Sequence, residues 1–301
     1  MLGYGNSMYI YNHGIYASSG VQPLILDTYT NAVAGWSLKK LRTAYSGNCI
    51  RVRRSSDNTE QNIGFSGSSL DTTSLLSFCS GTNGFVTTWY DQSGNGYNMT
   101  QTSATLQPQI VSAGSLIVSS SRPAMQFDGS NDYMINLLSG LGDVIFQGED
   151  KPVSIVQVVD VSTAKYNEMI SIGKQGSGTG LEIFSPFRMD SATQYATIKR
   201  DNGGTLKISS FGTATTGIQL LTSYSGGTTA TCRKNATDIA SGVDVNVGAI
   251  STDNVALGAL VRNTIGGYAH MKAMEFIMFA SNESANIAGI ETKTNQTYSI
   301  Y

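Results

Sequence analysis

Gln194-Tyr195-Ala196-Thr197-Ile198-Lys199-Arg200-Asp201-Asn202-Gly203-Gly204-Thr205-Leu206-Lys207-Ile208-Ser209-Ser210-Phe211 is the stretch that decides the fold class. Two short runs rich in β-branched and aromatic residues flank Asp-Asn-Gly-Gly, the residues that tolerate the positive φ of a tight hairpin. The same grammar continues downstream, where Ser225-Gly226-Gly227 separates Ile218–Tyr224 from Thr228–Arg233. Upstream and beyond, Cys49–Arg53, Phe85–Tyr90, Ala124–Phe127, Val153–Asp160, Met169–Gly173, Leu181–Phe184, Val255–Leu260 and Met271–Phe279 read as further strands. Strands at this spacing predict an all-β chain folded as two packed antiparallel sheets.

Helices are few. Leu38, Leu41 and Tyr45 share one helical face, with Ser37 to cap and Gly47 to end a segment. Asp71 is placed to cap Thr72–Cys79. A third helix is expected from Ser284 to about Tyr298; its apolar stripe of Ile287 and Ile290 is narrowed by Glu291 and Thr294. Residues 1–30 differ, mixing Tyr4, Tyr9, Tyr11, Tyr16 and Tyr29 with Gly, Asn and Ser. They read as an N-terminal docking arm on a sandwich of residues 31–301, or equally as an added strand of that sandwich.

Composition narrows the function classes. The chain has 301 residues, 40% of them hydrophobic, so it can bury a core, yet only 13% are charged and the net charge is −2. That balance gives no electrostatic footprint for nucleic acid. No stretch approaches the ~20 apolar residues of a membrane span, and Met1 to Gly20 lacks a secretory pattern, so synthesis in the cytoplasm is expected. Cys49, Cys79 and Cys232 are widely spaced, and His13 and His270 stand apart from soft ligands. No disulfide framework, metal site or cofactor is expected.

The block Tyr90-Asp91-Gln92-Ser93-Gly94-Asn95-Gly96, followed by Met99-Thr100-Gln101, resembles the catalytic domain of the fungal B-type α-L-arabinofuranosidases and a set of bacteriophage virion proteins. The resemblance begins at Leu38 and runs through Tyr45-Ser46-Gly47, Arg53 to Asp57 and Ser77-Phe78-Cys79. Ala124 to Tyr133 is similar to the opening strand and turn of concanavalin A-like, laminin-G-type sandwiches. Read on its residues alone, the block is structural: Asp91, Gln92 and Ser93 bond neighbouring backbone and Gly94 and Gly96 let the chain turn.

The resemblance implies chemistry that needs two carboxylates, one nucleophilic and one to shuttle a proton. It puts Glu182 at the nucleophile position, whereas Leu257-Gly258 is followed by Ala259 to Asn263 with no acid where the family has its aspartate. Arg262 or Asn263 cannot replace a carboxylic acid, so catalysis would require Asp190, Glu168 or Asp160 as partner. The family's paired cysteines correspond to Met169 to Ile172, and the partner of Cys79 to Gly84; loss of that bridge suits a particle assembled in reducing bacterial cytoplasm. The expectation is a bacteriophage structural protein, a tail or head fibre component of the virion. It is expected to be homo-oligomeric, to contact other virion proteins and to present Tyr97, Trp36 and Tyr195 to cell-surface carbohydrate. The alternative is a glycoside hydrolase of the α-L-arabinofuranosidase type acting on surface polysaccharide; a free lectin is the third reading.

Overall fold

The computed structural model describes residues 22–137, 141–146, 149–176 and 183–301. Residues 1–21, with most of the expected arm, lie outside the described residues, and so does Glu182. The architecture is an antiparallel β-sandwich. One sheet runs Thr237–Asp244, Thr229–Lys234, Gly217–Ser225, Val153–Val161 and His270–Phe279. The far edge of that last strand is shared, because Ala32–Ser37 pairs with its second half and Met125–Asp128 with its first. The other sheet runs Leu206–Phe211, Tyr195–Arg200, Ile183–Met189, Ile170–Gly173, Asn254–Leu257 and Met134–Asn136. It continues through Met99–Thr100 to Gly84–Trp89, Ile50–Arg54 and Glu60–Ile63.

Alternation along the strands sends Trp36, Trp89, Phe127, Phe184, Phe187, Tyr195 and Phe276 into the main core. Their rings meet edge to face, as in Trp89 against Phe276 at 6.2 Å and Phe187 against Tyr195 at 5.0 Å. A second cluster covers the outer face of the first sheet, where Leu26 of the short helix Ile25–Thr28 and Ile290 and Tyr298 of the helix Ile287–Tyr298 meet Val156, Val158 and Ile277. The narrow apolar stripe of that C-terminal helix suffices because its polar neighbours find partners. Buried Glu291 accepts from the Thr222 hydroxyl and from Arg233 Nε at 2.9 Å.

Asp71 caps Thr72–Phe78, its Oδ1 accepting the Ser74 amide at 3.0 Å. The helix expected from Ser37 does not form: Ala32–Ser37 is a strand and the chain after it is irregular. Tertiary partners win over propensity there. The Leu38, Lys40 and Leu41 amides donate to Met274 O, Ser68 O and Gln92 Oε1, so the backbone is satisfied without a helical ladder.

Candidate active site

The Asp91 block is a hub of backbone acceptors. Buried Asp91 receives the amides of Gly35 (2.8 Å), Ser93 (2.9 Å) and Tyr97 (3.1 Å) and the Ser93 hydroxyl (2.7 Å). Gln92 takes the Leu41 amide and returns its own amide protons to Ser37 O and Lys39 O. Gly94 and Gly96, at φ 100 and 82, turn the chain. Of the three aromatics expected to face a sugar, two are in the core. Trp36 is 0% exposed with Nε1 donating to Tyr97 O, and Tyr195 is 0% exposed with its hydroxyl on Gln219. Neither presents a ring face to solvent; Tyr97 is half-buried.

Ile183, which follows the nucleophile position named by the resemblance, and the segment after Leu257-Gly258 meet elsewhere, at the end of the Ile170–Gly173 strand. Gly173 pairs with Ile183, the residue after Glu182, on one side and with Asn254 on the other. From the Leu257-Gly258 pair the chain enters a hairpin, Leu260–Val261 with Ile265–Gly266, whose tip is Arg262, Asn263 and Thr264. Val261 packs over Gly173 so closely that a Cβ there would sit 2.6 Å from the Val261 carbonyl oxygen. Glycine at 173 is therefore what lets the hairpin tip reach the strand end. The hairpin is pinned along its length: Ser171 donates to Ala259 O at 2.8 Å, Leu260 packs with Ile183 and Ile198, and the Glu168 amide donates to Gly267 O.

Among the described residues, one carboxylate stands at this junction. Asp253, half-buried, accepts the Gln175 amide at 2.9 and 3.1 Å on its two oxygens, and Asn254 Nδ2 at 2.9 Å on Oδ1. The Asp253 amide donates to Gly173 O, and Asn254 Nδ2 also points at Val261 O at 3.4 Å. Two strand spacings of ~4.8 Å separate the strand that Ile183 opens from the one that Asn254 opens, so backbones flanking Gly173 lie about 10 Å apart, a span that side chains bridge.

The carboxylates named as alternative partners are placed otherwise. Glu168 is 0% exposed and already holds the Tyr166 hydroxyl (2.8 Å), Arg188 Nη1 (3.1 Å) and the Ser185 hydroxyl. Burial, reinforced by the Glu168 charge, pushes the Tyr166 phenol far above its ordinary value. Burial opposes the charge of Arg188, but Glu168 beside it holds the guanidinium above its usual value. Asp190 pairs with Arg188 at the end of Ile183–Met189 opposite Ile183, and Asp160 accepts the Ser119 hydroxyl on the other sheet. Asp253 was not singled out by sequence because Ser251-Thr252-Asp253-Asn254 reads as ordinary turn chemistry. Only the three-strand register around Gly173 brings it to the site. Among the described residues no group of His, Cys, Asp and Glu side chains could hold a metal ion, and no helix is long and apolar enough to cross a membrane.

Residues 24–158 match the family model described as alpha-L-arabinofuranosidase B, catalytic. None of the curated protein sequences compared matches the chain. Among solved structures, a mutant of a GH54 α-L-arabinofuranosidase soaked with 4-nitrophenyl α-L-arabinofuranoside is similar at TM-score 0.63 and 16% identity, covering 87% of this chain. An arabinofuranosidase complexed with arabinofuranosyl-α-1,2-xylobiose gives TM-score 0.61 at 16% identity over 87% of this chain. The chain spans 62% of the length of each. It thus has the fold of an arabinofuranosidase B catalytic-type domain.

These findings overturn the expectation of a bacteriophage structural protein. Nothing supports a virion or tail-fibre role, and the glycoside hydrolase alternative is the better supported. The expectation gave decisive weight to two absences. The segment after Leu257-Gly258 lacks an acid, but Asp253 stands just before Asn254–Leu257, the strand that leads into that pair. The missing bridge is a packing change: Cys49, Cys79 and Cys232 are free and buried, and a Cβ at Gly84 would lie 2.7 Å from Cys79 Sγ, so the bridge's place is filled by close contact.

Proposed function

We propose that the chain is the catalytic module of a glycoside hydrolase of the α-L-arabinofuranosidase type acting on polysaccharide, with Glu182 as nucleophile and Asp253 as the proton-carrying carboxylate. The observation that carries this reading is the junction at Gly173, which adjoins Ile183, Val261 and Asn254 at once. In the first step the Glu182 carboxylate attacks the anomeric carbon as the glycosidic bond breaks, and a proton from Asp253 goes to the leaving oxygen. In the second, Asp253 takes a proton from water, which displaces Glu182 and releases the sugar. The hydrogen bonds from Gln175 and Asn254 orient the Asp253 carboxyl for this exchange. The half-buried Tyr97, on the Asp91 turn, is the remaining aromatic candidate for contact with sugar.

Turnover of 4-nitrophenyl α-L-arabinofuranoside, reduced at least about a thousandfold by Glu182→Gln, is the expected result. Absence of turnover on aryl arabinofuranosides and arabinose-bearing polysaccharides refutes the reading. Turnover that Glu182→Gln leaves intact removes Glu182 from it.

A further inference from the structure

The arginines of this chain are mostly spoken for. Arg51, Arg54, Arg188 and Arg233 are ion-paired, and Arg53 donates to Gln107, Asn58 and Ala104 O. Arg262 is different. It is half-buried at the tip of the hairpin, between Val261, whose carbonyl rests on Gly173, and the exposed Asn263 and Thr264. Its amide donates to Thr264 O at 3.3 Å, fixing the turn, but no hydrogen bond or ion pair to a described residue engages its guanidinium. The nearby cation Arg188 is neutralised by Glu168 and Asp190, whereas Arg262 lies close enough for its charge to act on Tyr166 without being ion-paired to a described carboxylate.

A guanidinium presents several N–H donors in a planar fork and cannot lose its charge at any working pH, so its best partner is a carboxylate met in bidentate geometry. Holding such a group half-buried costs hydration that an anionic ligand returns. A neutral sugar offers hydroxyls, which the many Ser, Thr and Asn side chains of this chain would serve as well.

We infer that Arg262 selects carboxylate-bearing sugars, so that the glycan taken at the Gly173 junction is an acidic, uronate-containing polysaccharide. This rests on the proposed hydrolase reading and adds the substrate class to it. Arg262, in the segment after Leu257-Gly258 that lacks an acid, then serves recognition of charge, and the proton passes through Asp253.

The test is calorimetric binding of tetragalacturonate against its fully methyl-esterified counterpart, which differs only in the anions. The wild-type chain is expected to bind the acid form at least about tenfold more tightly, and the preference to weaken as salt rises from 0.05 to 0.3 M. Arg262→Gln, a change in a hairpin turn, should abolish the preference, Arg262→Lys should keep part of it, and Arg51→Gln, which removes an exposed charge paired with Glu60, should leave it unchanged. Equal affinity for the two oligomers, binding to neither, or a preference that survives Arg262→Gln overturns the inference. Because hydrolysis of aryl arabinofuranosides is measured separately, an inactive chain that still discriminates the oligomers fails only the hydrolase reading.

Discussion

Replacing Asp132 with asparagine is expected to stabilise the protein, increasingly as pH rises above about 4 and fully above about 7. Asp132 is 7% exposed in the turn after Met125–Asp128, its Oδ2 accepting the Asp128 amide at 2.9 Å. Burial pushes its carboxyl up to about 7, the backbone hydrogen bond opposing and the Asp128 charge adding to the rise. The ordinary value is 3.8, so the folded protein holds this proton over about three pH units in which the unfolded chain has released it. At 1.36 kcal/mol per unit the difference is roughly 4 kcal/mol. The native state binds more protons in that window. Stability from this group is therefore complete below about pH 4, falls as pH rises, and is lost above about 7. An asparagine carbonyl still accepts the Asp128 amide but carries no charge to desolvate. Urea unfolding at pH 4, 6 and 8 should give Asp132→Asn equal to wild type at the first and more stable by up to about 4 kcal/mol at the last. Titrations elsewhere, such as those of Asp57 and Asp27, cancel in the difference. A variant less stable than wild type at pH 8, or a gap that ignores pH, refutes the reasoning.

Asp253→Asn should lower kcat/KM about a hundredfold or more on substrates with poor leaving groups and far less on nitrophenyl glycosides, whose first step needs little protonation; kcat/KM across a leaving-group series checks it, and a uniform loss of kcat/KM contradicts the assigned role. Asp91→Ala strands the buried amides of Gly35 and Ser93 and the half-buried amide of Tyr97, and should cost about 3 kcal/mol or more in urea unfolding; a loss under about 1 kcal/mol would show that the turn closes without its carboxylate.

What could be read from the chain was what neighbours in sequence decide. The hairpin of Tyr195–Arg200 and Leu206–Phe211 is written in adjacent residues, and so are the Asp71 cap and the Asp91 turn, whose Ser93 and Tyr97 donors lie two and six positions on. Ser37 to Tyr45 misled because its helical spacing is real but its amides bond to Met274, Ser68 and Gln92, partners that no local pattern reveals. Trp36 and Tyr195 looked like sugar platforms because an amphipathic ring suits both a sugar and a core, and only burial separates the two. Asp253 escaped notice for the opposite reason. Its residue type is common at strand starts, and its importance comes from Gly173, 80 positions earlier, pairing beside it.

The C-terminal helix carries a last implication. An oily seam between a helix and a sheet is tolerant of sliding, because one aliphatic side chain substitutes for the next. The contact of Glu291 with Thr222 and Arg233 is not tolerant. Shifting the helix by a single turn would leave a carboxylate in a dry crevice without counter-charge, so these three residues act as a key that fits one docking position and rejects its near neighbours.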